Sequence, residues 1–473
     1  MTGIDATIDA WVRPAADALA AVVFFRLPIA GAELPLVVLW LVVGAVFFTV
    51  RFGFINVRGF AHALQTVRTP FRRRGPGEVS HFQALSAAVS GTVGIGNIGG
   101  VAVAVSLGGP GAAFWMIIAG FLGMSTKFVE CTLAVIYRRE NADGSVSGGP
   151  MYFLERGFAE RGLGDVGRAL GIFYALGIVV GCMGIGNMFQ SNQVFAQLVG
   201  VTGGATSWFA DKGWLVGLVL ASLVGIVIIG GIRSIARVTE RLVPFMALLY
   251  LVAALFVLIL NAEAIPWAYA QMVSGAFTGE GIAGGALGAM IIGFQRALFS
   301  NEAGIGSASI AHAAVRTEEP LTEGFVSLLE PFLDTVIICH ATALVVITTM
   351  YFDPAFAKGL GGIELTSAAF GRVLGWTPPL LALAAALFAL STMVAWSYYG
   401  LKGWTYLVGE GRRAQLGFNA VFCIFVALGC AIRLDAVLDF SDALVFLICV
   451  PNLIGLYVLS PVVAARLREY RYR

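Results

Sequence analysis

The stretch Ser90-Gly91-Thr92-Val93-Gly94-Ile95-Gly96-Asn97-Ile98-Gly99-Gly100 sets five glycines inside an apolar run over 83–107. A glycine in a helix interior costs about 1 kcal/mol against alanine. A helix that only crosses a bilayer gains nothing from five of them. Irregular backbone at membrane depth survives only where protein covers it or where it lines a cavity. The stretch therefore predicts a helix that unwinds around a ligand. Two other readings compete with that one. Gly94, Gly96 and Gly99 satisfy G-x-G-x-x-G, but a dinucleotide site needs a preceding strand and an acidic residue about twenty positions on. Neither accompanies it here, and a nucleotide site is excluded. Gly96 and Gly100 also form a small-xxx-small pair, the pattern that lets membrane helices pack closely.

The surrounding composition fixes the class. The chain of 473 residues is 58% hydrophobic and 12% charged, about half the charge of a soluble domain. That composition requires a polytopic membrane protein with spans of about 20 residues each. The net charge of +2 selects no partner and gives no reason to expect nucleic acid. Cys131, Cys182, Cys339, Cys423, Cys430 and Cys449 fall in apolar runs without metal spacing, which suits buried packing. Asp5, Asp9, Arg13, Asp17 and Arg26 interrupt the first thirty residues. A short amphipathic segment is expected there, not a span or a cleavable signal peptide.

Apolar runs and their charged borders predict about eleven spans, at 34–50, 83–107, 112–137, 169–198, 214–229 and 243–260, then 286–311, 324–350, 379–399, 415–428 and 440–464. Lys and Arg concentrate in alternate loops, as at Arg51, Arg58, Arg138, Arg139, Arg233 and Arg316, against a sparse set such as Arg13, Arg26, Lys212 and Arg372. The basic side is read as cytoplasmic, which puts the N-terminus outside and the C-terminus in the cytoplasm, across a plasma membrane. Setting the first span aside leaves five up to Leu260 and five from Ala286. Because five is odd, the second set enters the membrane inverted. The expected organisation is an N-terminal segment with an extra helix and basic loop at 1–81, a first five-helix repeat at 82–262, a second at 283–465 and a basic tail at 466–473. Inverted repeats are a transporter design whose site lies where interrupted helices of the two halves meet. The first span of the second half carries Phe299-Ser300-Asn301-Glu302-Ala303-Gly304-Ile305-Gly306-Ser307, a second break at the corresponding place.

At these residues the chain resembles the alanine or glycine:cation symporter family, the sodium:alanine carriers of bacteria and archaea. The matching stretches are 90–101 with 107–114, 121–138, 148–157, 186–192, 295–309, 328–334 and 391–400. FSNEAGIGSA over 299–308 and STMVAWSYYG over 391–400 are the most specific. The resemblance implies the leucine-transporter fold with one extra helix before a ten-helix core. It also implies import of alanine, glycine or D-alanine with Na+ as the co-transported ion.

An amino acid brings two charges into a low-dielectric site, and each needs a partner. Free N–H groups at Gly94, Ile95 and Gly96 suit the carboxylate, with Thr92 as a wall. Carbonyls near Phe299 and Ser300, with the Asn301 amide, suit the ammonium. Gln190 and Asn192 are intramembrane amides that either meet substrate or bond neighbouring helices; the resemblance favours substrate for Gln190. Thr392 and Trp396 are four apart and share a helix face, so Trp396 is expected to close a small pocket, unless it is an interface tryptophan. The resemblance further implies a Na+ site of the Ser90 and Val93 carbonyls with the Ser391 and Thr392 hydroxyls, although helical hydroxyls often bond their own preceding turn.

The intramembrane charges Lys127 and Glu130 suggest an internal pair. Glu330 and Asp334 share a face, so one is protonated or meets Arg296. Glu302 is open to a structural, cation-linked or proton-linked role, and His312 and His340 are assigned packing or loop contacts. The spans offer neither the charge rings of a channel nor the nucleophile–base pair of an enzyme. A proton-coupled carrier remains the alternative to sodium coupling.

Overall fold

The computed structural model describes residues 3–29, 32–68, 75–278, 285–350, 360, 362–431 and 435–470. Arg72, Arg73 and Arg74 of the basic loop, Lys358, Arg433, residue 283 at the expected start of the second repeat, and Tyr472 with Arg471 and Arg473 of the tail lie outside the described residues.

Helices dominate, with two short antiparallel hairpins, Arg26–Ile29 with Ala32–Pro35 and Arg139–Glu140 with Val146–Ser147. Among the described residues seven helices are long and apolar enough to cross a membrane: Gly96–Ile136, Gly164–Val201, Gly231–Leu260, Pro320–Thr349, Thr377–Val408, Arg412–Ala431 and Leu438–Glu469. Leu36–Arg51 and Gly213–Ile228 are shorter apolar helices. Gly109, with φ of 61° and Pro110 behind it, breaks the longest run, so Gly96–Ile136 supplies the end of one span and the whole of the next. With the interrupted helices counted as one span each, the arrangement is compatible with the eleven expected. The N-terminal Gly3–Val23 is a helix laid against the last one: Arg13 pairs with Asp439 at 2.5 Å and Phe24 meets Phe446 edge-on at 5.3 Å.

Two interrupted helices organise the bundle. The first begins at His81, where Ser80 and Gln83 form a reciprocal capping box: the Gln83 N–H donates to Ser80 Oγ and the Ser80 N–H to Gln83 Oε1, both at 3.1 Å. This box satisfies two donors that a helix start otherwise leaves orphaned. The helix runs to Thr92, and a π-helical turn resumes it at Gly96–Gly100. The second runs Gly285–Asn301 and resumes as Ser307–His312. They point in opposite directions. His81, at the start of the first, and His312, at the end of the second, both lie 2.5 Å from oxygens of one carboxylate, Glu323. Beside them Val79 and Val315 form a parallel bridge, and the Arg138 guanidinium donates to the carbonyls of Pro76, Ala313, Val315 and Thr317. The helix after Gly109 also returns to this end, because Gly120 packs on Thr335 and Thr132 on Gly324, beside Glu323.

The outward faces are apolar as lipid contact requires. Leu218 and Ile226 on one helix, and Phe245, Leu248 and Ile259 on the next, are each more than half exposed. Inside, association relies on close packing and on satisfied polar groups, because lipid is as apolar as leucine. Five of the six cysteines are buried, Cys423 is half-buried, and all are free.

Candidate functional site

Both breaks sit deep in the bundle, and each is held open by side chains. In the first, Val93 is extended with φ −76° and ψ 96°. The four last carbonyls of a helix have no partner within it, and here the long helix Thr377–Val408 supplies several. Ser391 Oγ lies 3.4 Å from the Ser90 carbonyl, Thr392 Oγ1 lies 3.5 Å from that of Val93, and Trp396 Nε1 donates to that of Gly91 at 3.2 Å. In return Ser90 Oγ donates to the Ser391 carbonyl at 2.7 Å. The four oxygens assigned to Na+ therefore approach one another as two buried pairs, Ser90 with Ser391 and Val93 with Thr392. Ser391 Oγ also donates to the Phe388 carbonyl at 2.9 Å, so the local bond and the inter-helix approach coexist.

At the opposite lip of the break, the Gly94 N–H donates to Asn97 Oδ1 at 2.8 Å. That bond takes Gly94 out of the set of free donors. Ile95 and Gly96 keep the helix-start geometry in which N–H groups lack an earlier acceptor. Asn97 is itself tied to the far repeat, donating from Nδ2 to Asp334 Oδ1 at 2.5 Å. Asp334 Oδ2 accepts from Ser300 Oγ at 2.8 Å and from Thr335 Oγ1 at 2.7 Å. Asp334 thus meets hydroxyls and an amide, not Arg296. The sequence reading passed over Asn97; its only signal was one amide set among glycines, three residues after Gly94.

The second break comes later than expected. Phe299, Ser300 and Asn301 are helical, and the irregular residues run from Glu302 to Gly306, with φ of 55° at Glu302, 93° at Gly304 and 91° at Gly306. Asn301 shapes the break, since its Oδ1 accepts from the Ala303 N–H at 3.0 Å and its Nδ2 donates to Thr335 Oγ1 at 3.1 Å. Its amide is spent on that capping. Phe299 covers the first break: its ring is 3.9 Å from where a Cβ on Gly96 would stand.

Gln190 follows a π-helical turn at Gly184–Met188. Its Nε2 donates to the Ile185 carbonyl at 3.1 Å, while its Oε1 is buried without a partner. A Cβ on Gly94 would lie 3.6 Å from that oxygen and 2.7 Å from Thr392 Oγ1. Asn192 instead donates to the Gly429 carbonyl of a neighbouring helix at 3.2 Å. Thr92 Oγ1 reaches only its own preceding turn, 3.5 Å from the Ala88 carbonyl. Trp396 is 2% exposed, so it is no interface residue. Of the later glycines Gly99 packs on the backbone of Ile363, whereas Gly100 has nothing within 4 Å; the small-xxx-small pair is not what brings helices together.

Gly186 gives a direct test of this packing. Its absent Cβ would stand 2.3 Å from Trp396 Cγ, so Gly186→Ala drives the indole out of place. Overpacking of this kind costs about 1–3 kcal/mol. A lowered melting temperature of the purified protein is expected. An unchanged melting temperature contradicts the close approach.

The charges distribute differently from the spacing. Lys127 pairs across helices with Glu330 at 3.0 Å, not with Glu130. Glu130 Oε1 accepts from the Gly304 N–H at 2.9 Å and from Asn452 Nδ2 at 2.7 Å. His312 lies between Glu323 and Glu330, its Nε2 3.6 Å from the latter, and His340 meets the Tyr269 hydroxyl at 3.1 Å.

Known proteins sharpen what this arrangement is. The bundle resembles the solved structure of MhsT in complex with L-phenylalanine, with a TM-score of 0.56 and 15% identity over 82% of this chain and 89% of that one. It also resembles a manganese transporter of Eremococcus coleocola, with a TM-score of 0.51 and 13% identity over 79% and 78%. These likenesses establish the leucine-transporter fold. Sequence relatives include the sodium/alanine symporter AgcS of Methanococcus maripaludis, 38% identical over 90% of this chain and 92% of its own. The probable sodium/glutamine symporter GlnT of Bacillus subtilis is 34% identical over 92% and 87%. The model of the sodium:alanine symporter family matches residues 26–473, so this bundle with its two interrupted helices is a sodium-coupled amino-acid transporter of the membrane, not an enzyme, and the chain belongs to the sodium:alanine symporter family.

Proposed function

We propose that this transporter imports a small neutral amino acid, alanine, glycine or D-alanine, by symport with Na+ through alternating access. The observation that carries the reading is Gln190 Oε1, a buried acceptor with no partner, facing Gly94 at the first break. An unsatisfied buried acceptor costs about 1–3 kcal/mol, and a substrate ammonium removes that cost. The substrate carboxylate then takes the N–H groups of Ile95 and Gly96, at the positive end of the outer half-helix. The carbonyls of Phe299 and Ser300, in the last turn of the second half-helix, complete the ammonium's partners. Na+ takes the carbonyls of Ser90 and Val93 with the hydroxyls of Ser391 and Thr392, an oxygen set that suits a hard cation. With Phe299 over Gly96 and Trp396 against Gly186 as walls, a side chain of about one methyl group is the expected limit.

The test is uptake of labelled alanine into proteoliposomes with sodium outside only. Sodium-driven accumulation is expected, with glycine and D-alanine as competitors. Uptake indifferent to sodium but driven by external acid overturns the reading in favour of a proton carrier. Trp396→Ala should admit leucine as a competitor and lower its inhibition constant at least about tenfold, since each methylene that fits is worth about 1–3 kcal/mol. An unchanged substrate range removes Trp396 from the pocket.

A further inference from the structure

Beside the second break lies a group of buried oxygens that neither the substrate nor the Ser90–Thr392 cation uses. Glu130 engages Gly304 and Asn452 through Oε1, and its Oε2 has no partner. Asn452 Oδ1 and the hydroxyls of Tyr174 and Tyr399 are likewise buried and unpartnered, on side chains with no solvent exposure. Glu302, the first residue of the break, accepts from Ser307 Oγ. A Cβ on Gly306 would lie 2.7 Å from Asn452 Oδ1, at the end of the break, whereas the Tyr399 hydroxyl stands beside Gly91 of the first interrupted helix, 2.6 Å from where its Cβ would be. Glu130, Asn452 and the break thus meet around Gly304 in one polar chamber.

The charges around it do not balance. Lys127 is committed to Glu330 at 3.0 Å, and His312 and His81 are committed to Glu323. Asp334 is bonded by Asn97, Ser300 and Thr335. Cys131 and Cys449 are the other titratable groups that face the chamber. Among the described residues no cation lies within ion-pair distance of Glu130 or Glu302. Burying an unpaired carboxylate costs several kcal/mol. Ordered water would satisfy the orphaned oxygens but leave the charge.

We propose that Glu130, Glu302 and Asn452 form a second site for a co-transported monovalent cation, Na+ or a proton. The donors are all hard oxygens, as either occupant requires. Both Glu130 and Asn452 hold Gly304, the latter also by donating to its carbonyl at 2.7 Å. The occupant therefore bears directly on the Glu302–Gly306 break and on the Ser307–His312 half-helix beyond it. This inference rests on the reading of the chain as a sodium-coupled carrier.

The test is the coupling ratio of the full chain in proteoliposomes, with alanine as substrate and the membrane potential clamped at zero. Under an about tenfold sodium gradient, net flux stops at an about tenfold alanine gradient if one cation moves, and at about a hundredfold if two sodium ions move. If the second cation is a proton, sodium alone gives the tenfold ratio and each pH unit adds a further factor of about ten. One of these two-cation results is expected of the wild type. Glu130→Gln, which keeps the carbonyl oxygen that Gly304 and Asn452 use, and Glu302→Gln should each return the ratio to one cation with sodium-driven uptake retained. A wild-type ratio of one sodium, indifferent to pH, overturns the site whether or not the variants fold, and points to water in the chamber. A ratio that stays at two in both variants also overturns it. Wild-type uptake without any sodium dependence would remove this inference together with the proposed function, and is told apart by that alone.

Discussion

Lys127→Met is expected to destabilise the folded chain by about 3–5 kcal/mol, the usual consequence of stranding one member of a buried ion pair. Lys127 and Glu330 are both fully buried and 3.0 Å apart. Removing the ammonium leaves the Glu330 carboxylate with His312 Nε2, at 3.6 Å, as its nearest remaining basic group. Methionine fills much of the lysine volume, so lost packing contributes little. Adding Glu330→Gln should restore at least half of the loss, because a neutral amide in the same place has no charge to strand. The measurement is thermal unfolding of the purified protein for the two single variants and the double variant. A double variant no more stable than Lys127→Met would show that the pair is not the source of the loss.

That pair also marks where sequence reading succeeds and where it stops. The class, the spans and the antiparallel relation of the two interrupted helices follow from runs of apolar residues, from basic loops and from the odd number of spans in each half. These are local signals, summed over many residues. Partner choice is not local. Lys127 and Glu130 are three apart and suited to pair, yet the Gly304 N–H and Asn452 claim Glu130, and Lys127 turns to a residue about two hundred positions away. Asn97 is a similar case, since its work depends on Gly94 beside it and on Asp334 in the other half.

The second break lies within the stretch 299–307 that its pattern marks, but it starts only at Glu302. Its glycines announced irregular backbone, but the last helical residue is set by Asn301 Oδ1 accepting from the Ala303 N–H. Glu302 then adopts a left-handed conformation, φ 55°, which a side chain normally avoids at a cost of about 1–2 kcal/mol. No composition rule places a glutamate there. The set of Ser90 and Val93 carbonyls with Ser391 and Thr392 hydroxyls is implied by family resemblance, and the approach of each hydroxyl to its carbonyl comes from the fold.

That proximity makes Thr392 the most informative residue of the proposed sodium site. Thr392→Val keeps the volume beside Gly94 and removes only the hydroxyl, which lies 3.5 Å from the Val93 carbonyl. Losing one oxygen from such a set, where the cation is otherwise held by neutral groups, is worth about 1–3 kcal/mol. The sodium concentration for half-maximal alanine uptake should therefore rise about ten- to a hundredfold, and Thr392→Ser should restore it. Because coupling between two ligands is reciprocal, alanine affinity at limiting sodium should fall in Thr392→Val, whereas at saturating sodium it should approach the wild-type value. A hydroxyl that merely packs the helix against the break would lower uptake at every sodium concentration alike and leave the half-saturation point where it was. The serine variant separates the two cases, since it supplies the oxygen without the methyl group.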